Sequence, residues 1–409
     1  MQHHELLIFF ALLIFAFGLF SRLSESKSIT GPMVFMIVGI LGSSLALNLF
    51  HVTPQMGPVT LVAELALTLV LFIDASLIDM KSLRGSGSNI PARLLLIGLP
   101  LTMLFGTGLG LLMFDSVSLW AIVLMALILS PTDAALGQAV VKSPAVPGRI
   151  RQSISVESGL NDGIALPPIL ICLALLGAEA GDREGEWLGF VIRQVTLGPL
   201  VGFAVGWVGG RLIQTMSDRG WMEETFQRLS ALPLAILAFA FAESVEGNGF
   251  IAAFVAGLGL TIGATSHEIR HRIQEFGETE GTQLILVVFL IFGLAMVPFA
   301  APYWGLTELI YALASLTALR MIPVAIAMTG AKLDVGTIAF MGWFGPRGIA
   351  SVLYLLMAVA AIGVEGHERV MSVIVLTIMI SVVAHGISAV PLSKRYGESQ
   401  ESGSDTAAQ

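Results

Sequence analysis

The sequence predicts an all-α polytopic membrane protein of about thirteen transmembrane helices. Three observations predict it: a composition too apolar for a water-soluble domain, a succession of apolar segments of membrane-spanning length, and basic residues that fall in alternate loops. Of the 409 residues, 55% are hydrophobic and 12% are charged, against the ~25% charged residues of a typical soluble domain. The mean hydropathy is +0.86. The 21 Lys and Arg residues come in ones to threes, with no basic run, so the chain offers no nucleic-acid-binding face. The single cysteine, Cys172, has no partner for an internal disulfide and lies in an apolar run, where it reads as a buried filler. The head Met1–His4 carries no basic n-region, so the first apolar segment reads as a retained span.

A span needs ~20 mostly apolar residues. The segments that qualify cover roughly 5–22, 30–48, 57–77, 92–114, 118–141, 151–176, 187–215, 229–246, 248–265, 281–301, 306–328, 335–362 and 369–392. Only Glu246-Gly247-Asn248-Gly249 separates the eighth from the ninth. Cytoplasmic loops collect Lys and Arg. With the N-terminus outside, sixteen of the 21 basic residues fall inside, among them Lys27, Lys81, Arg84, Lys142, Arg149, Arg211, Arg270 and Lys394. The outside loops hold Arg183, Arg193 and Arg369 together with acids such as Asp182, Glu184, Glu186, Glu365 and Glu368. A miscount by one span breaks that alternation. The expected localisation is therefore the inner (plasma) membrane, with the N-terminus outside, the C-terminus cytoplasmic and lipid as the surrounding partner. Residues 1–393 form the membrane domain. The tail 394–409 is small and polar, and is expected to be disordered. The inside loop 265–280 reads as a short surface helix. His267 and His271 stand four apart in it, a metal-binding spacing that reads more simply as a solvated turn.

Two spans contain helix breakers. Ser130-Pro131-Thr132-Asp133 interrupts the fifth, and Gly342-Trp343-Phe344-Gly345-Pro346-Arg347-Gly348 the twelfth. Proline has no N–H and clashes with the preceding turn, so both helices should break there. If spans 1–6 and 8–13 are inverted repeats joined by the seventh, the breaks occupy equivalent positions, an arrangement transporters place near the midplane. The positive ends of the half-helices would face one another. Asp133 would neutralise one side, and Arg347 would satisfy freed carbonyls on its own side.

Acids in spans are expensive and pair or line water. Those here are Glu64, Asp74, Asp133, Glu157, Asp162 and Glu243; Arg320 and Arg347 are the bases well inside. Glu157 and Arg320 suggest a pair, with peripheral ligation the alternative for Glu157. That leaves Asp162 as a carboxylate for which a proton and a transported cation compete. Asp133 is read as a direct ligand or a cap on a helix break. Glu64 either lines a route or pairs, Asp74 has no assigned role, and Glu243 is read as structural. On a helix, residues four apart share a face. Glu157 therefore stacks with Asn161, and Ser158 with Asp162, so the Ser158 hydroxyl and the Asp162 carboxylate suit one ion. Oxygen ligands without nearby His or Cys suit a hard cation and argue against zinc or copper.

Taken together, Ser130-Pro131-Thr132-Asp133, Glu157-Ser158-Gly159-Leu160-Asn161-Asp162-Gly163 and Phe344-Gly345-Pro346-Arg347-Gly348 resemble the NhaP-type sodium/proton antiporters of the monovalent cation–proton antiporter family. The resemblance extends over the whole span layout. It implies two inverted six-helix repeats, with crossing broken helices in spans 5 and 12. A core would lie around spans 4–6 and 11–13, and a dimer domain around spans 1–3 and 7–10, in a homodimer. It implies Na⁺ ligands at Asp133, Ser158, Asp162, the Thr132 backbone, and Glu157 directly or through water. Asn161 takes the place where electrogenic relatives carry an aspartate, Arg320 pairs with Glu157, and Arg347 stands beside the second crossover. The short tail implies that the tail-borne regulation of the animal exchangers is absent.

The expected activity is electroneutral exchange of one Na⁺ (or Li⁺) for one H⁺ by alternating access, with no cofactor and no enzymatic step. The nearest alternatives are a K⁺/H⁺ exchanger or a sodium-coupled symporter. An intramembrane aspartyl protease using Asp133 and Asp162 lacks the expected Gly-x-Gly-Asp block, and a channel lacks a filter-like loop.

Overall fold

The structure is a computed structural model that describes residues 2–26, 29–78, 90–133, 136, 138–141, 143–179 and 187–407. Lys27, Lys81, Arg84, Lys142, Asp182, Arg183, Glu184 and Glu186 lie outside the described residues. All regular structure among the described residues is helical, as expected. The helices in order are α1 (Gln2–Ser26), α2 (Gly31–Gly42), α3 (Gly57–Ser76), α4 (Ile90–Met113), α5 (Leu119–Ile128), α6 (Gln138–Val141), α7 (Gly148–Glu179), α8 (Trp187–Asp218), α9 (Glu224–Arg228), α10 (Ala231–Ser244), α11 (Gly249–Gly263), α12 (His267–Tyr303), α13 (Leu306–Leu316), α14 (Ala318–Ala327), α15 (Val335–Trp343), α16 (Ile349–Ile362) and α17 (Glu368–Ala407). Seven helical stretches among the described residues are long and apolar enough to cross a membrane, and shorter apolar helices occupy the other expected segments. α4 and α12 contain π-helical turns at Leu94–Gly98 and Phe292–Met296.

Local chemistry sets several helix starts. The hydroxyls of Thr30 and Ser118 cap α2 and α5, accepting from the N–H groups of Met33 and Ala121. Between α10 and α11 the chain turns through Glu246 at φ 61°. Asn248 Oδ1 accepts the Ile251 N–H at 2.9 Å, and Glu243 accepts the Gly249 N–H at 2.8 Å. The eighth and ninth segments are thus separate helices, and Glu243 has the structural role expected of it.

The chain packs as two units. One comprises residues 1–59, 85–161 and 286–409; the other comprises residues 60–84 and 162–285. In the second, α8 lies against α11 along Gly198, Gly202, Gly206 and Gly210, spaced by four. A Cβ on Gly202 or Gly206 would overlap the carbonyl of Ala252 or Ala256. Lipid gives helices no hydrophobic reason to associate, so close backbone approach through small residues supplies the packing.

In the first unit, α15 packs in a core with Ile150, Ile154, Val324, Ala389 and Tyr396. Asp334 caps α15, accepting the Thr337 N–H at 2.9 Å and its hydroxyl at 2.5 Å. Partial burial pushes the Asp334 carboxyl up, but these bonds and one from Gln400 outweigh it and hold the group below the usual carboxylate range.

Two expectations need correction. The tail from residue 394 is helical through Ala407 and continuous with α17. Its composition is that of a disordered segment, but Tyr396 anchors it by stacking on Phe340 at 4.2 Å and bonding Thr337 at 2.7 Å. Residues 267–280 are the first turns of α12, continuous with the apolar helix that follows them.

Candidate functional site

The helix breaks fall where the proline and glycine signals put them. α5 ends at Ile128, and Ser130–Asp133 run without helix, because Pro131 cannot continue the ladder. α15 ends at Trp343, and Phe344–Gly348 run extended or irregular into α16. The two breaks bond each other. The Asp133 N–H donates to Pro346 O at 2.9 Å, and the Asp133 carboxylate accepts the Ile349 N–H at 2.7 Å. Asp133 therefore caps the N-terminus of α16, where the unpaired N–H groups and the helix dipole favour a negative charge. In the other direction, the Ser351 hydroxyl donates at 2.8 Å to Ile128 O, an open carbonyl at the end of α5.

α7 brings Ser158 and Asn161 to the first break. The Ser158 hydroxyl donates to Thr132 O at 2.5 Å, and Asn161 Nδ2 donates to Thr132 Oγ1 at 2.7 Å. Thr132, Ser158 and Asn161 are all buried. The carbonyl keeps a second lone pair and the hydroxyl oxygen both of its own, so this bond leaves acceptor capacity in place. Asn161 Oδ1 is buried without a hydrogen-bond partner among the described residues. Glu157 faces Arg320 from α14, with Nη2 to Oε2 at 2.9 Å and Nη1 to Oε1 at 2.7 Å; the side chains are 2% and 1% exposed. Asp162 is buried on the same helix, one turn beyond Ser158. Arg347 is fully buried. Its Nη1 donates to Gly345 O at 2.8 Å, and its N–H donates to Ser381 Oγ at 2.7 Å.

Two glycines make this arrangement possible. A Cβ on Gly348 would overlap the Asp133 carboxylate, and one on Gly345 would stand 2.6 Å from Arg320 Nε and 2.9 Å from Thr132 Cγ2. Both belong to the sequence block singled out, but their reason is contact with residues far away in the chain. The support from α17 was missed. Ser381 and His385, four apart in an apolar span, were the available signal. The Glu308–Arg369 ion pair at 2.7 Å was missed as well. Glu64 is exposed on α3. His267 and His271 stack at 6.3 Å, and no group of three or more metal-ligating side chains occurs among the described residues. Cys172 is buried.

The sodium/hydrogen exchanger transmembrane profile matches residues 7–395. The chain belongs to the sodium/hydrogen exchanger family. Among curated relatives, a K⁺/H⁺ antiporter NhaP from Alkalimonas amylolytica is 25% identical over 381 residues, covering 91% of this chain and 64% of that protein. A Na⁺/H⁺ antiporter NhaP from Pseudomonas aeruginosa is 28% identical over 290 residues, covering 66% of this chain and 65% of its own length. This exchanger-family chain thus spans just under two thirds of the length of either relative. The solved structure of the sodium proton antiporter MjNhaP1 from Methanocaldococcus jannaschii superposes with a TM-score of 0.77 at 16% identity, covering 94% of this chain and all of that one. The profile and the NhaP relatives bear out the resemblance to NhaP-type antiporters, and the structural likeness bears out the all-α membrane fold class.

Proposed function

We propose that this sodium/hydrogen exchanger family member is a transporter and not an enzyme, exchanging one Na⁺ (or Li⁺) for one H⁺ by alternating access, with Asp162 as the carboxylate both share. The observation that carries this reading is the charge set of α7 and the two breaks. Three buried acids (Asp133, Glu157 and Asp162) stand against two buried bases (Arg320 and Arg347), leaving one negative charge. One monovalent cation or one proton neutralises that set, and a bare charge is too costly to carry across the bilayer. Asp162 is the group assigned to the cargo, as a buried carboxylate one helical turn from the Ser158 hydroxyl. Ser158, Asp133, the Thr132 carbonyl and Glu157 complete the proposed Na⁺ shell, with Asn161, Arg320 and Arg347 supporting it.

Asparagine at position 161 adds no second titrating charge, so the exchange is electroneutral and insensitive to membrane potential. Its drive is the ion gradients, ~1.4 kcal/mol for a tenfold ratio. The membrane layout that goes with this reading has thirteen crossings in two inverted repeats, N-terminus outside and C-terminus cytoplasmic, in the plasma membrane. A core around spans 4–6 and 11–13 moves against a dimer domain around spans 1–3 and 7–10 in a homodimer. A K⁺/H⁺ exchanger is the second reading, favoured by the name of the Alkalimonas relative.

The test is proton movement in sealed proteoliposomes on addition of Na⁺, Li⁺ or K⁺, with and without a clamped potential. Na⁺-driven movement that ignores the potential is expected, falling to background in Asp162→Asn. Full exchange in that variant rejects Asp162 as the carrier. Movement driven by K⁺ alone selects the second reading, and movement that follows the potential rejects electroneutrality.

A further inference from the structure

The second break is held from α17 by a buried histidine to which the exchange chemistry assigns no part. His385 is 1% exposed. Its Nε2 lies 2.9 Å from Trp343 O at the C-terminus of α15. Its Nδ1 lies 3.1 Å from Ser381 Oγ and 3.0 Å from Ser381 O. Ser381 Oγ in turn accepts the Arg347 N–H at 2.7 Å. The Trp343 side chain is fixed as well: its ring lies 5.0 Å from the imidazole, and its Nε1 donates to Ser388 Oγ at 3.0 Å. Positions 381, 385 and 388 share one face of α17.

The donor and acceptor inventory selects one arrangement. A carbonyl oxygen only accepts, so Nε2 must carry a proton to bond Trp343 O. Neutral imidazole then has a bare Nδ1, which accepts the Ser381 hydroxyl proton, while the same hydroxyl oxygen accepts from Arg347. In this form Trp343 O, the Ser381 hydroxyl and the Arg347 N–H are all satisfied, and the one unfavourable contact is bare Nδ1 beside Ser381 O. The other neutral tautomer would set a bare Nε2 against a carbonyl oxygen and an Nδ1–H where Ser381 offers its hydroxyl, and the imidazolium would add a second positive charge to a buried site that already holds Arg347.

We infer that His385 is a positioning residue. As the neutral Nε2–H tautomer it ties both ends of the Trp343–Arg347 crossover to α17, and so sets the register in which Ile349 meets the Asp133 carboxylate. The first contact it governs indirectly is that Asp133 cap, and the property it protects is affinity for the transported cation. This rests on the exchange reading proposed above.

The experiment pairs transport with spectroscopy in the full chain reconstituted in lipid. His385→Ala is expected to raise the half-saturating Na⁺ concentration about tenfold, the size of one lost buried hydrogen bond, with the maximal rate per folded protein held within about twofold. His385→Gln, whose amide N–H reaches Trp343 O, is expected to recover most of that loss. Ser381→Ala is the milder probe if the alanine variant at 385 fails to fold, and is expected to raise the same constant about threefold. In ¹⁵N spectra of histidine-labelled protein, the signal that His385→Gln removes is expected to be a neutral Nε2–H imidazole. An unchanged Na⁺ constant in both His385→Ala and Ser381→Ala overturns the inference, as does a glutamine variant no better than alanine, or a removed signal belonging to an imidazolium or an Nδ1–H form. A wild-type chain that moves no protons with any cation instead rejects the exchange reading itself.

Discussion

The break after α5 and the break between α15 and α16 each open a helix in apolar surroundings, and they are held in different ways. The first is gripped from α7 by an amide and a hydroxyl, Asn161 and Ser158, both of them on Thr132. Its only charge, on Asp133, serves the other break by capping α16. The second carries a buried arginine whose charge meets a backbone carbonyl, Gly345 O. Nε and Nη2 of Arg347 have no hydrogen-bond partner among the described residues. One break thus presents oxygen atoms with lone pairs to spare, and the other presents a fixed cation. Oxygen donors that rearrange suit a site that must take up and release an ion. A cation that cannot lose its proton suits the permanent part of the charge balance.

Arg320 stands beside both breaks, near Gly345 of the second and Thr132 of the first. Its removal is the most damaging change. Arg320→Ala leaves Glu157 buried without its ion pair, expected to cost ~3–5 kcal/mol. Thermal unfolding in detergent reads this as a large drop in midpoint, and the double variant Glu157→Leu/Arg320→Leu is expected to regain much of it. Gly348→Ala comes next. The new methyl overlaps the Asp133 carboxylate, so overpacking of ~1–3 kcal/mol is expected. It should appear together with weaker Na⁺ binding, because the cap and a proposed ligand are the same side chain. Unchanged Na⁺ binding in a folded Gly348→Ala protein would separate the cap from the site.

Ser351→Ala removes the bond returned to α5 and is expected to cost ~1 kcal/mol. Its effect on transport should be smaller than that of Gly348→Ala, because it touches no proposed ligand.

The smallest effect is expected at the far end of α15. Asp334→Ala removes an N-cap, ~1 kcal/mol, with the Na⁺ constant unchanged because neither break is touched. The folded Asp334 carboxyl is held below its ordinary value, mainly by Thr337 against the upward push of partial burial. Its contribution is therefore present above the unfolded value of ~3.9 and is lost as the pH falls through the lower folded one. The stability gap between wild type and Asp334→Ala is expected to close in strong acid, which a pH series of melting curves would read.

Much of this arrangement was legible in the sequence because it is local. Proline and glycine mark both breaks, apolar runs mark the helices, and a glutamate in an apolar span asks for an arginine in another. What was not legible depends on partners remote in the chain. Asp133 was open between ligand and cap, and its partner Ile349 is 216 residues away. Nothing near position 133 says which helix end it meets. The tail was misread for the same reason: its small polar residues say disorder, whereas one tyrosine anchored in a distant aromatic pair says helix. The eleventh segment hides a further interruption. α13 and α14 part at Thr317, whose φ of −117° and ψ of −92° leave the helix, with no proline or glycine there to announce it.

The glycine seam of the second unit has a mechanical meaning. At Gly202 and Gly206 the backbones of α8 and α11 touch with no side chain between them. Side chains are the compliant layer of a protein interior, since they change rotamer and take up slack. This seam has no such layer. α8 and α11 therefore bend, tilt and carry load as one beam, with a stiffness set by two main chains in direct contact.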